Sequence, residues 1–120
     1  MELNEYQKQA KSTCTKSSFN VSYMAFNLVG EVGAVVSKLA KAIRKDNVVI
    51  NENKLCFLME DEERKLFVDE LKKELGDVLW QLSELCDVLN LNLDDVALNN
   101  LSKLADRKKR NVIIGDGDNR

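Results

Sequence analysis

Not one of the 120 residues is a proline, and only five are glycines. A fold rich in tight turns normally uses both, so an all-β sandwich or barrel is not expected. Without proline to end or kink them, helices can run as long as their apolar pattern supports. The length suits one domain, 1–120, with little room for a second. At 44% hydrophobic and 32% charged residues, the composition is that of a soluble globular chain.

Histidine is absent as well. That removes the Ser-His-Asp triad, the Cys-His nucleophile and the HExxH zinc site. Cys14, Cys56 and Cys86 are odd in number and have no CxxC spacing, so neither a disulfide framework nor a thiolate zinc site is supported. With 18 basic against 20 acidic residues the net charge is -2, which gives no footprint for nucleic acid. The basic run from Arg107 to Arg110 reads as a solvated helix end, favoured by the helix dipole. The N-terminus MELNEYQKQAK lacks a signal-peptide core, and no apolar run reaches membrane-spanning length. A cytoplasmic protein with no membrane partner is the expectation.

Four helices are predicted. The first runs from about Leu3 to Cys14, followed by a polar break through Asn20. The second covers about Val21 to Lys45, with Leu28, Val32, Val35, Leu39 and Ile43 at helical spacing. Residues 47–59 read as a loop or insertion, although Val48-Val49-Ile50 could be briefly extended. The third helix opens at the acidic run Glu60 to Glu63 and ends near Asn90. Its Leu71, Leu75, Val78, Leu82, Leu85 and Leu89 form a seam expected to be buried. Asn92 caps the fourth helix, which runs to about Lys109. The tail 111–120 is non-helical. Short links between long amphipathic helices predict an all-α, antiparallel helical bundle.

Polar residues follow helical spacing too. Glu70, Glu74, Asp77, Gln81 and Glu84 share one face of helix three. A solvent face is the ordinary explanation. Against it, Glu74 and Asp77 flank Gly76, which costs about 1 kcal/mol relative to alanine in a helix interior and suggests a close approach by backbone or ligand. Helix two sets Glu31 between Gly30 and Gly33 in an apolar stretch, with Lys38 two turns on. Helix four carries Asn100, Lys103 and Arg107 on one face, where solvent exposure is the simpler reading. Together these residues have a chemical logic. Facing carboxylates bind hard divalent cations, and Mg²⁺ takes carboxylates together with phosphate oxygens. Lysine and arginine nearby can hold the remaining phosphate charge.

The runs LVGEVGAVVSKLAKAIRKD, KELGDVLWQLSELCDVLNLNLDDVALNNLSKLADRKKR and NVIIGDGDNR resemble the MazG-like nucleotide pyrophosphohydrolases. The N-terminal LNEYQKQA resembles bacterial and phage members, and the resemblance spans nearly the whole chain outside the insertion. It implies an all-α homodimer or homotetramer that uses Mg²⁺, with Mn²⁺ as a substitute. The implied reaction converts a nucleoside triphosphate, ribo or deoxy, to the monophosphate and pyrophosphate. It also implies metal ligands and catalytic carboxylates at Glu31, Glu74 and Asp77. Phosphate ligands would be Lys38, Lys103 and Arg107, with Asn100 orienting. Tyr23 and Trp80 are candidates for a base pocket, although the core is the commoner place for either. Asp118 or Arg120 of the tail could contribute.

One departure matters. The family has an ExxE pair on the first metal-binding helix, whereas this chain reads GEVGA, with Ala34 in place of the second glutamate. A methyl group cannot coordinate a cation, so three carboxylates remain. Three explanations stay open: an engineered inactive variant, a natural weakened or repurposed member, or compensation by Glu70. Two rival functions follow, a catalytically inactive helical binding or regulatory module, and a hydrolase of another nucleotide such as an alarmone or an oxidised dNTP.

Overall fold

The computed structural model describes residues 1–120. Four helices dominate: α1 (Leu3–Lys11), α2 (Val21–Arg44), α3 (Asp61–Val88) and α4 (Leu93–Lys109). The two long ones start as the sequence predicts. Asn20 caps α2 by accepting from the Tyr23 amide, and the first turn of α3 carries Asp61, Glu62 and Glu63 near the positive end of its dipole. Asn92 caps α4 by accepting from the Asp95 amide. Asn90 takes up the left-handed conformation (φ 55°) that ends α3. Helix α1 is shorter than expected, because Ser12 and Thr13 turn their hydroxyls back onto the carbonyls of Gln9 and Ala10.

The expected loop 47–59 is instead a β-hairpin, the one non-helical element of the fold. Strands β1 (Val48–Asn51) and β2 (Lys54–Phe57) pair antiparallel, with Val48 opposite Phe57. Glu52 and Asn53 make the turn with φ of 49° and 61°, the twist that joins hairpin strands tightly. The β-branched run Val48-Val49-Ile50 outweighs the flanking asparagines once Val48 is buried against Ala42 and Phe67. Phe57 meets Phe67 edge-on at 6.1 Å, and Arg64 covers the outer face of Phe57.

Helices α2 and α3 form the central pair; α1 lies on α3, and α4 packs on α1. Polar side chains do much of the fastening. Gln7 is buried and clips the α3–α4 turn: its amide donates to the Leu91 carbonyl and its oxygen accepts from the Leu93 amide, both at 2.9 Å. The Trp80 indole donates to Thr13 at 2.8 Å, anchoring α3 to the end of α1.

The expected burial of α3 is corrected. Leu75 is 51% exposed and Leu89 46%, while Gln81 and Glu84 of the polar stripe are buried to 1% and 0%. Gln81 and Glu84 face α1 and α2, so Leu75, Leu82 and Leu89 of the seam turn outward, while Leu71, Val78 and Leu85 stay half-buried. Phe26, Val29 and Val36 of α2 and Leu98 and Leu101 of α4 are exposed too. The radius of gyration is 17.8 Å, against about 14 Å for a compact chain of this length. No helix is long and apolar enough to cross a membrane.

Candidate functional site

Helices α2 and α3 bring together three of the predicted carboxylates. Glu31, Glu74 and Asp77 each offer an oxygen, and these oxygens lie within 4.8 Å of one another. Glu74 and Asp77 share a face of α3 because they are three residues apart; Glu31 meets them from α2. Glu31 and Glu74 are half-buried and Asp77 is exposed, so the cluster sits in a cleft open to solvent. Three hard oxygen donors converging at this spacing suit one shared Mg²⁺ or Mn²⁺ ion, with room for water and phosphate oxygens in the remaining positions.

Glu31 does not hold its place alone. Asn27, one turn earlier on α2, donates to the Glu31 carboxylate at 3.1 Å and to the side-chain oxygen of Gln81 at 2.8 Å. Gln81 in turn donates to the Met24 carbonyl at 3.3 Å. This amide relay is anchored by Gln81 and Met24, both without appreciable exposure. The sequence reading missed Asn27, although its four-residue spacing from Glu31 was visible. It also missed Tyr6 of α1, whose hydroxyl pKa is pushed up by burial first and then by the charges of Glu84 and Asp77.

A cavity of about 450 Å³ adjoins the cluster, with Glu74 and Ala34 among its lining. Ala34 presents its methyl to the space. Lys38 also lines it and pairs with Glu70 across the two helices at 2.9 Å. The hydrogen bond from Lys38 holds the Glu70 carboxyl below its ordinary range. Glu70 is therefore engaged by a lysine and is not one of the three clustered carboxylates.

Other predicted residues lie apart. Asn100, Lys103 and Arg107 do not line the cavity. Lys103 and Arg107 instead grip Asp118 of the tail at 3.1 and 3.2 Å, and both pull its pKa down, Lys103 foremost. Arg107, 5% exposed, also donates to the Asp118 carbonyl at 2.7 Å. Arg120 closes the tail by donating to the carbonyls of Val112 and Ile113. Gly117 sits at φ +80°, a turn that a side chain would strain. Tyr23 is exposed on the first turn of α2, and the Trp80 indole is committed to Thr13, so neither lines the cavity. The glycine at 76 serves no close approach within the chain, since a Cβ there would meet nothing within 4 Å.

Comparison with known proteins agrees with this picture. Residues 19–112 match the family described as the MazG nucleotide pyrophosphohydrolase domain. The chain is similar to the "Gene 37 protein" of Mycobacterium phage L5, with 41% identity over 101 residues, 83% of this chain and 76% of that protein. No solved structure matches the chain.

Proposed function

The chain belongs to the MazG nucleotide pyrophosphohydrolase family, and we propose that it hydrolyses a nucleoside or deoxynucleoside triphosphate to the monophosphate and pyrophosphate. The observation that carries this reading is the convergence of Glu31, Glu74 and Asp77 from two helices within 4.8 Å. Those three would hold Mg²⁺, or Mn²⁺ in its place. A cation bound there supplies Lewis-acid polarisation and neutralises phosphate charge.

The chain's own residues do the rest. Asn27 and Gln81 fix the Glu31 carboxylate, so its orientation is set before substrate arrives. Lys38 reaches over the cavity and can exchange Glu70 for a phosphate oxygen. Asn100, Lys103 and Arg107 contribute phosphate contacts from α4. The grip on Asp118 supports this, because two cations that close on one carboxylate also suit a phosphate. The outward leucine and valine faces of α2, α3 and α4 support a homo-oligomer, in which a second copy covers them. In such an assembly α4 can serve a site on the partner.

Ala34 favours a second reading. With a methyl facing the cavity and Glu70 held by Lys38, no fourth carboxylate replaces the missing one. A catalytically inactive binding or regulatory module fits that observation. Pyrophosphate release from a panel of NTPs and dNTPs with Mg²⁺, measured for this chain and for Ala34→Glu, separates the readings. Release by both supports the enzyme, and release by the variant alone supports a disabled one. Release by neither, with both folded, replaces the enzyme by the module. Competition by an alarmone or an oxidised dNTP in the same assay tests the remaining alternative.

A further inference from the structure

We propose that the cavity between α2, α3 and the hairpin is the nucleoside subsite, and that the root of the hairpin gives it its selectivity. The inference rests on the triphosphate hydrolase reading above, and extends it to where the base and sugar go. Three observations support it. First, position: the lining of the cavity includes Glu74, a member of the carboxylate cluster, so a ligand whose phosphates lie at the cluster can place its remaining part there. Second, size and character: about 450 Å³ lies within the range of roughly 300–1,000 Å³ usual for small-molecule sites. Its wall combines the apolar surfaces of Met59, Leu66 and Phe67 with a few polar groups, as a flat aromatic base requires. Third, unused hydrogen-bonding capacity: Asn47 spends its backbone amide on Ala42 and its carbonyl on Leu58, which fixes the residue at the hairpin root. Its side-chain carboxamide is engaged by nothing in the chain and can both donate and accept. Such a group reads the edge of a base, and a site built around it rejects a base whose edge cannot answer.

This placement differs from one around Tyr23 and Trp80. Trp80 is tied to Thr13, and Tyr23 lies near the opposite end of α2 from Asn47. Lys38 stands along the cavity wall, so its ammonium can meet a phosphate or a sugar hydroxyl. Phe67 belongs to the packed cluster with Ala42 and Val48, which makes the floor beneath the base rigid.

The test uses the full chain with Mn²⁺ and two probes: a non-hydrolysable nucleoside triphosphate and inorganic tripolyphosphate, which has no nucleoside. Ser37→Trp fills the cavity from its exposed rim, and Asn47→Ala removes the reading group while leaving the backbone bonds. Circular dichroism confirms that both stay folded. The expected result is nucleotide binding weakened about tenfold or more by Ser37→Trp, with tripolyphosphate binding within about twofold of the parent. Asn47→Ala should shrink the differences in affinity among the four bases. Unchanged nucleotide affinity in Ser37→Trp, or a loss only in Tyr23→Ala, overturns the subsite while leaving the hydrolase reading intact. A parent chain that binds neither probe overturns both.

Discussion

Glu84 is buried to 0% exposure, and neither of its carboxylate oxygens meets a hydrogen-bond partner. Burial foremost, and then the neighbouring Asp87, push its pKa up; the Cys14 thiol and the Lys11 ammonium pull the other way without cancelling this. The Lys11 ammonium sits 3.6 Å from Asp87. The charge of Glu84 in turn adds to the burial that raises the Tyr6 hydroxyl pKa. A carboxyl whose folded pKa exceeds its unfolded value binds its proton more tightly in the folded state. Its contribution to stability is complete below the unfolded pKa, near 4.5, and is lost as pH rises through the folded value. Above that pH the fold therefore carries a cost at Glu84, because ionising the buried carboxyl is harder in the folded chain than in the unfolded one.

Replacing Glu84 with glutamine keeps the shape and removes the charge. Leaving a buried polar group unsatisfied costs about 1–3 kcal/mol, and more when it is charged; glutamine removes only that extra cost of the charge, so Glu84→Gln should stabilise the chain by about 1–2 kcal/mol at pH 7.5. For a domain of this size that is a rise in Tm of roughly 3–10 °C. At pH 4 both folded and unfolded states hold the proton, and the gain should shrink towards zero. Thermal unfolding by circular dichroism across pH 4 to 8, at one fixed protein concentration, reads the difference. A variant that is less stable than the parent at pH 7.5, or whose gain does not change with pH, would refute the reasoning.

Other expectations follow from the same geometry. Ala34→Glu should tighten Mn²⁺ binding about tenfold, read by titration calorimetry, because a fourth carboxylate joins the three within 4.8 Å. Asn27→Leu should weaken Mn²⁺ binding and leave helical content unchanged, since it frees Glu31 without touching the cluster itself. Asn53→Gly at the hairpin turn, where φ is 61°, should raise stability by about 0.5–1 kcal/mol in a urea melt. Leu98→Lys with Leu101→Lys should convert an oligomer to monomer on size-exclusion chromatography with light scattering, because both side chains are more than half exposed in the single chain. Asp118→Asn should release the tail to limited proteolysis. The parent should lose its clasp only in acid, because the depressed pKa of Asp118 keeps that grip until pH falls through its folded value.

The helices were legible because caps and periodicity are local. Asn92 caps as read, Asn20 at the end of the polar break caps α2, and the acidic run opens α3. The carboxylate cluster was legible for a related reason: Glu74 and Asp77 share a helix face by spacing alone, and only Glu31 needed a family resemblance to place it opposite them. The hairpin was legible only in its first strand, the β-branched run Val48-Val49-Ile50; its partner Lys54–Phe57 was not, because Phe57 gains its place by packing on Phe67 of the helix that follows. Nor was the fate of Lys103 and Arg107, since a tail ten or more residues away reaches back to occupy them.

The deeper departure concerns which side of α3 is inside. Hydrophobic periodicity locates an apolar seam but does not say what covers it. Here the seam of Leu75, Leu82 and Leu89 turns outward, and the stripe of Gln81 and Glu84 is enclosed by α1 and α2. That inversion puts the polar side chains that support the open carboxylate cluster between the helices. Gln81 is buried and holds the half-buried Asn27, which in turn holds Glu31, so this end of the polar stripe takes the interior and Leu75, Leu82 and Leu89 lie at the surface. A chain built this way gives up part of the apolar burial that would stabilise it alone, at about 25 cal/mol per Å². The exposed apolar faces of α2, α3 and α4 and the enclosed polar relay are then two consequences of one arrangement. A second copy covering those faces would restore the burial without disturbing the carboxylates.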